Sequence, residues 1–168
     1  IRLVDIAIER EICATDRLRS MLVGVVQDDD ADNDAREAAI NVLIRRRDRL
    51  WNSRELSDLL QTLAGTDDEP LREKAIGGLE AIITTDGIGT VTDHGQVVDI
   101  MWTSLQEGSE AVRRAAAAVL AAVHDQIGFE AGEIDVDVLR RTITDVHHSA
   151  SVRLTLVDLL MTNENTGL

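Results

Sequence analysis

The chain has 168 residues, 44% of them apolar, with 31 acids against 17 bases and a formal net charge of −14. That length and apolar content suit a single folded domain with a sizeable core and argue against disorder. No apolar run approaches the roughly 20 residues that span a bilayer; Cys13 stands alone, which rules out an internal disulfide and leads us to expect a reducing, cytoplasmic setting.

In chain order, residues 1–13 read as a leading helix, the second half of an incomplete first unit. No signal-peptide pattern is present, and a start on Ile1 instead of Met is what a fragment would show. Amphipathic stretches then alternate with polar corners. DRLRSMLVGVV (16–26) turns through QDDDADN into DAREAAINVLI (34–44), and RELSDLLQTLA (54–64) turns through GTDDE into PLREKAIGGLE (70–80). GIG at 87–89 reads as a flexible connection. GQVVDIMWTSL (95–105) then turns through QEGSE into AVRRAAAAVLA (111–121). IDVDV (134–138) alternates like a strand but runs into the helical pattern DVLRRTITDV (137–146), which turns through HHSA into SVRLTLVDLLM (151–161). One Pro and frequent Ala favour helix throughout.

The second member of each pair aligns on an arginine: Arg36, Arg72, Arg113 and Arg153, spaced by 36, 41 and 40 residues. Three residues later stand Ala39, Ala75, Ala116 and Leu156; four later, Ile40, Ile76, Ala117 and Val157; seven later, Leu43, Leu79, Leu120 and Leu160. Offsets of three, four and seven trace one face of an α-helix. A helix–turn–helix unit recurring about every 40 residues predicts an all-α, right-handed α-solenoid of stacked antiparallel helix pairs, about four pairs plus the leading helix. The expected organisation is one domain over 1–168: leading helix 1–13, units 15–50, 51–90, 93–130 and 134–163, and a tail at 164–168.

The motifs AREAAINVL, LREKAIGGL, VRRAAAAVL and VRLTLVDLL resemble the HEAT repeat of the armadillo-like families, including its short bilin-lyase-type variety, over nearly the whole chain. The resemblance implies that each second-helix Arg pairs with an acid near the preceding turn, forming a ladder. Asp34 and Asp68 fit that role, while the last two units offer Glu110 and Ser149. With 19 Asp, 12 Glu and Lys74 as the one lysine, the composition also resembles that of proteins from salt-loving microbes. Such a surface is expected to destabilise the fold at low salt, where self-repulsion is unscreened.

Five Asp fall between residues 28 and 34, which raises the question of a cation cage. A calcium loop of the EF-hand type needs Gly at its sixth position and Glu at its twelfth. Counted from Asp28 these are Asn33 and Ala39; counted from Asp30 they are Ala35 and Asn41. A solvated helix cap is the better reading, with Asp34 and Glu37 forming a capping box. His94, His124, His147 and His148 lack zinc-ligand spacing. Cys13 has no neighbouring base and reads as buried filler, GIG lacks the third glycine of a dinucleotide loop, and no GxSxG elbow occurs. Trp102 reads as packing. No cofactor or metal is expected, and no catalytic constellation is found.

RRRDRLWNSR (45–54) departs from this background, with Arg45, Arg46, Arg47, Arg49 and Arg54 around Trp51. Cations at a helix C-terminus complement its dipole, and Asp28–Asp34 are expected to attract them. The same residues suit a partner-binding patch, because Arg and Trp dominate binding hot spots. The expected function is a non-enzymatic protein–protein interaction scaffold. Nucleic-acid binding, of the kind seen in HEAT-like base-excision enzymes, ranks second because cations and aromatic stacking platforms are scarce. A bilin-lyase-like accessory, implied by the resemblance alone, ranks third.

Overall fold

Backbone amides at helix starts need acceptors, and this chain supplies them with short polar side chains. Asn52 accepts from the Glu55 N–H at 2.9 Å, Asp68 from Leu71 at 3.2 Å, Asp93 from Gln96 at 2.9 Å and Ser149 from Val152 at 3.3 Å. A computed structural model describes residues 15–128 and 136–165, with side chains as far as 161. Among the described residues it contains nine helices and no strand: α1 Thr15–Gln27, α2 Asn33–Arg45, α3 Arg47–Leu50, α4 Ser53–Ala64, α5 Glu69–Asp86, α6 His94–Glu107, α7 Glu110–Ile127, α8 Val136–Thr144 and α9 Ala150–Asn165. Gly87 and Gly128 close α5 and α7 at φ of 88° and 69°, a left-handed region in which a side chain is strained.

Packing follows a simple order. α1 packs on α2, α4 on α5, α6 on α7 and α8 on α9, each pair joined by a short corner as in a helical hairpin. The second helices also pack on one another in sequence, α2 on α5, α5 on α7 and α7 on α9. The face at offsets three, four and seven from each Arg is turned into the core. Ala39, Ile40, Leu43, Ala75, Ile76, Leu79, Ala116, Ala117, Leu120 and Leu156 are all buried. Val157 and Leu160 on α9 are only half-buried, because no further described helix lies beyond them. Trp102 lies in the core, as expected.

Several expectations need correction. The linker after α2 forms the short helix α3, whose Leu50 is buried. The GIG connection is an ordered 3-10 turn, Ile88–Thr90. It packs on α4, α5 and α7, and the Ile88 N–H donates to Gln126 Oε1 at 2.7 Å. The capping box is absent: the cap residue is Asp32, two residues before Asp34, it makes no side-chain cap bond, and Asp34 falls inside the first turn. Asp28 instead organises the corner, accepting from the Asp30 N–H at 3.0 Å and, through its carbonyl, from Ala31 at 3.1 Å. The described part of IDVDV is helical. The leading helix and Cys13 lie outside the described residues.

The α6–α7 corner is the tightest, and Gly108 makes it possible. A Cβ there would sit 2.5 Å from Val112 Cγ1 and 2.6 Å from the Ser104 carbonyl oxygen. Because the second obstacle is backbone, relief requires moving the helix end. Gly108→Ala is therefore expected to cost about 1–3 kcal/mol in urea unfolding. Gly77→Ala, where a Cβ meets nothing within 4 Å, is expected to stabilise by up to about 1 kcal/mol.

Candidate functional site

The four anchoring arginines sit at equivalent places on the second helices, but their surroundings differ. Arg36 is buried; its Nε donates to the Val26 carbonyl at 3.1 Å, Nη1 to Asp68 Oδ2 at 2.9 Å and Nη2 to Asp29 Oδ1 at 3.4 Å. The expected partner Asp34 makes no such contact: it is exposed on the first turn of α2, while Asp68 reaches back from the next corner. Arg72 pairs with Glu69 at 3.3 Å. Arg113 Nη1 lies 3.4 Å from His148 Nδ1.

The ladder therefore exists in an altered form, running from corner to corner. Arg36 joins the first corner to Asp68 in the second. Glu69 accepts from the Ser109 N–H at 3.1 Å, and Glu110 accepts from the Ser149 N–H at 3.5 Å. The acceptor in the last two rungs is the first residue of one second helix, and the donor is the cap residue of the next. Glu110 and Ser149 are thus partners of each other. The sequence signal is their spacing of 39 residues, close to the 40 that separates Glu69 from Ser109.

At the final corner His148 is buried beside a cleft of about 170 Å³ lined by Leu105, Arg141, Thr142 and Asp145. A guanidinium only donates, so a neutral ring accepts from Arg113 at Nδ1 and carries its proton on Nε2, 3.6 Å from Asp145 Oδ2. The His147 N–H donates to Asp145 at 2.9 Å and holds that carboxyl below its usual pKa, against some desolvation. The Arg113 charge acts in the same lowering direction, as do His148 and His147 whenever they are protonated. His147 itself is exposed. Among the described residues, no group of three His, Cys, Asp or Glu side chains could hold a metal ion.

The residues of the arginine-rich segment differ in their surroundings. Arg45 ends α2 and is exposed, as are Arg49 and Arg54, and none of the three makes an ion pair with a described residue. Arg47 is half-buried and tied to Asp86 at 3.4 Å, where the Ser53 hydroxyl also donates at 2.7 Å. Arg46 is half-buried with a partner of its own. Trp51 is half-buried, with the Arg19 guanidinium 5.5 Å from its ring centroid, a cation–π geometry. The Asp28–Asp34 corner does not pair with this segment as expected; its Asp29 goes to Arg36.

A trough lies across the second helices, a feature absent from the sequence reading. It encloses about 530 Å³ between Asn41 and Ile44 of α2, Glu73, Gly77 and Glu80 of α5, and Arg114 and Ala118 of α7. A smaller hollow of about 290 Å³, lined by Glu37, Glu69, Pro70 and Ser109, adjoins it through the shared Glu73 and Lys74. The floor is low because position five after the anchoring Arg carries Asn41, Gly77 and Ala118. Gly78, one residue on, is needed for close packing: a Cβ there would lie 2.7 Å from Ile44 Cδ1 and 2.9 Å from Leu60 Cδ1. No family model, curated protein or solved structure matches the chain.

Proposed function

We propose that this protein is a non-enzymatic interaction module, a HEAT-like right-handed solenoid of stacked helix pairs that binds a protein partner through its surface. The observation that carries this reading is the set of exposed guanidiniums of Arg45, Arg49 and Arg54. In a chain of net charge −14, they lie within ten residues without a carboxylate partner among the described residues. Exposed, unpaired Arg is suited to bidentate recognition of carboxylate on another molecule. Arg46, Arg47 and Trp51 support the segment from within, through the contacts described above. The stacking of second helix on second helix is what a solenoid requires, and the acidic surface fits a host with concentrated intracellular salt.

Nucleic-acid binding is the alternative, because the same guanidiniums also fit phosphate. The aromatic residues speak against it. Trp102 is buried and Trp51 lies beneath Arg19, so neither offers a base-stacking platform.

The test is affinity purification from native lysate at near-native salt, with and without nuclease. Wild-type protein is expected to retain a protein partner through nuclease treatment. The triple charge reversal Arg45→Glu, Arg49→Glu and Arg54→Glu is expected to weaken that binding ~30-fold, as loss of a hot spot does. Recovery that vanishes with nuclease moves the function to nucleic acid, and unchanged recovery by the triple variant removes these residues from the contact.

A further inference from the structure

The trough across α2, α5 and α7 is lined by none of Arg45, Arg49 and Arg54, although Arg45 directly follows the lining residue Ile44, and its chemistry names its own occupant. Its floor is open by sequence, since Gly77 has no atom within 4 Å of where a side chain would begin. Its walls carry carboxylates that make no close ion pair with a described residue: Glu37, Glu73 and Glu80, each half-buried. A half-buried carboxylate that makes no close ion pair is well placed to receive a cation from another molecule. Lys74 and Arg114 also line the trough; with Glu69 on the rim, carboxylates still outnumber them.

The face continues onto α9 in the same register, with a change of character. Positions one and eight after the anchoring Arg are Glu73 and Glu80 on α5 but Leu154 and Met161 on α9. These two side chains are 65% and 54% exposed, among the most exposed large apolar side chains of the described residues. The surface thus combines a low floor, acidic walls and an apolar end. The geometry points to a partner of matching design: an amphipathic helix whose apolar side lies along the floor and on Leu154 and Met161, and whose polar side carries Lys or Arg facing Glu37, Glu73 and Glu80. Four helix axes about 9 Å apart span roughly 27 Å, the length of a helix of about 18 residues. This assignment rests on the reading of the chain as an interaction module but uses a different surface from Arg49 and Arg54.

The test uses fluorescence anisotropy with a labelled designed helix of about 18 residues, Leu and Ala on one side and Lys and Arg on the other. Two controls accompany it: the same peptide with Glu for Lys and Arg, and a scrambled peptide of identical composition and charge. The basic amphipathic peptide is expected to bind at least ~10-fold more tightly than either control. Gly77→Leu, which fills the floor at a position where a Cβ meets nothing within 4 Å, is expected to weaken binding ~10-fold with an unchanged circular dichroism spectrum. Glu73→Lys with Glu80→Lys should weaken it at least as much. The double reversal Arg49→Glu with Arg54→Glu, on elements that do not line the trough, should leave peptide affinity intact, which separates failure here from failure of the arginine contact. Equal binding of the scrambled peptide, indifference to Gly77→Leu, or Gly77-dependent self-association without peptide would each overturn the assignment.

Discussion

Replacing Arg36 by alanine is expected to lower the free energy of unfolding by about 2–4 kcal/mol. Three losses add up. The Val26 carbonyl, near the end of α1, loses the donor supplied by Nε at 3.1 Å. Asp68, only 18% exposed at its side chain, keeps its cap on α5 but loses its counter-ion at 2.9 Å. The buried aliphatic stem leaves a void between two helix pairs. The contact with Asp29 contributes little, because that carboxylate is 96% exposed. Arg36→Lys keeps the charge but not the forked geometry, and should recover less than half of the loss. In a double-mutant cycle with Asp68→Asn, a coupling of about 1–3 kcal/mol is expected. Coupling near zero would show that the corners are held together by apolar contact alone.

Leu79→Ala is expected to cost about 3–5 kcal/mol, while Leu160→Ala at the same register position should cost about 1–2 kcal/mol. Both residues stand seven places after their anchoring Arg. Leu79 lies on α5, which packs between α2 and α7, and its side chain is inaccessible to solvent. Leu160 lies on α9, which has α7 and α8 on its packed sides and no described helix beyond. The difference comes from neighbours and not from residue type, so urea unfolding of both variants reads the packing order directly. Equal costs would mean that α9 is covered as fully as α5.

Much of this architecture was legible because helices advertise themselves locally. The arginine alignment located all four second helices, and the offsets of three, four and seven picked out ten of their buried residues, from Ala39 through Leu156, while residues one before and six after the Arg, such as Leu71 and Val119, are buried too. Boundaries were less clear: α5 and α7 run on to Asp86 and Ile127, well past the aligned motifs. The helix α3 was missed because RDRL is a charged segment with a single apolar anchor, Leu50. The ladder was misread for a different reason. Arg36 has acids close by in sequence, yet its best partner is 32 residues away, and only the packing of one corner on the next brings Asp68 to it. The trough escaped because a cavity is made by what is missing. Its signal was available in the alignment, where the fifth position after each Arg reads Asn41, Gly77, Ala118 and Asp158, with no large apolar residue among them.

The last two rungs of the ladder are chemically alike: a glutamate that begins one second helix holds the backbone amide of a serine that caps the next. Each glutamate recognises a main-chain group common to every residue but proline, so the joint has little memory of which serine it meets. Glu69 has the chemistry to hold Ser149 as well as it holds Ser109. A joint of this kind would let a whole helix pair be added or removed without a new seam.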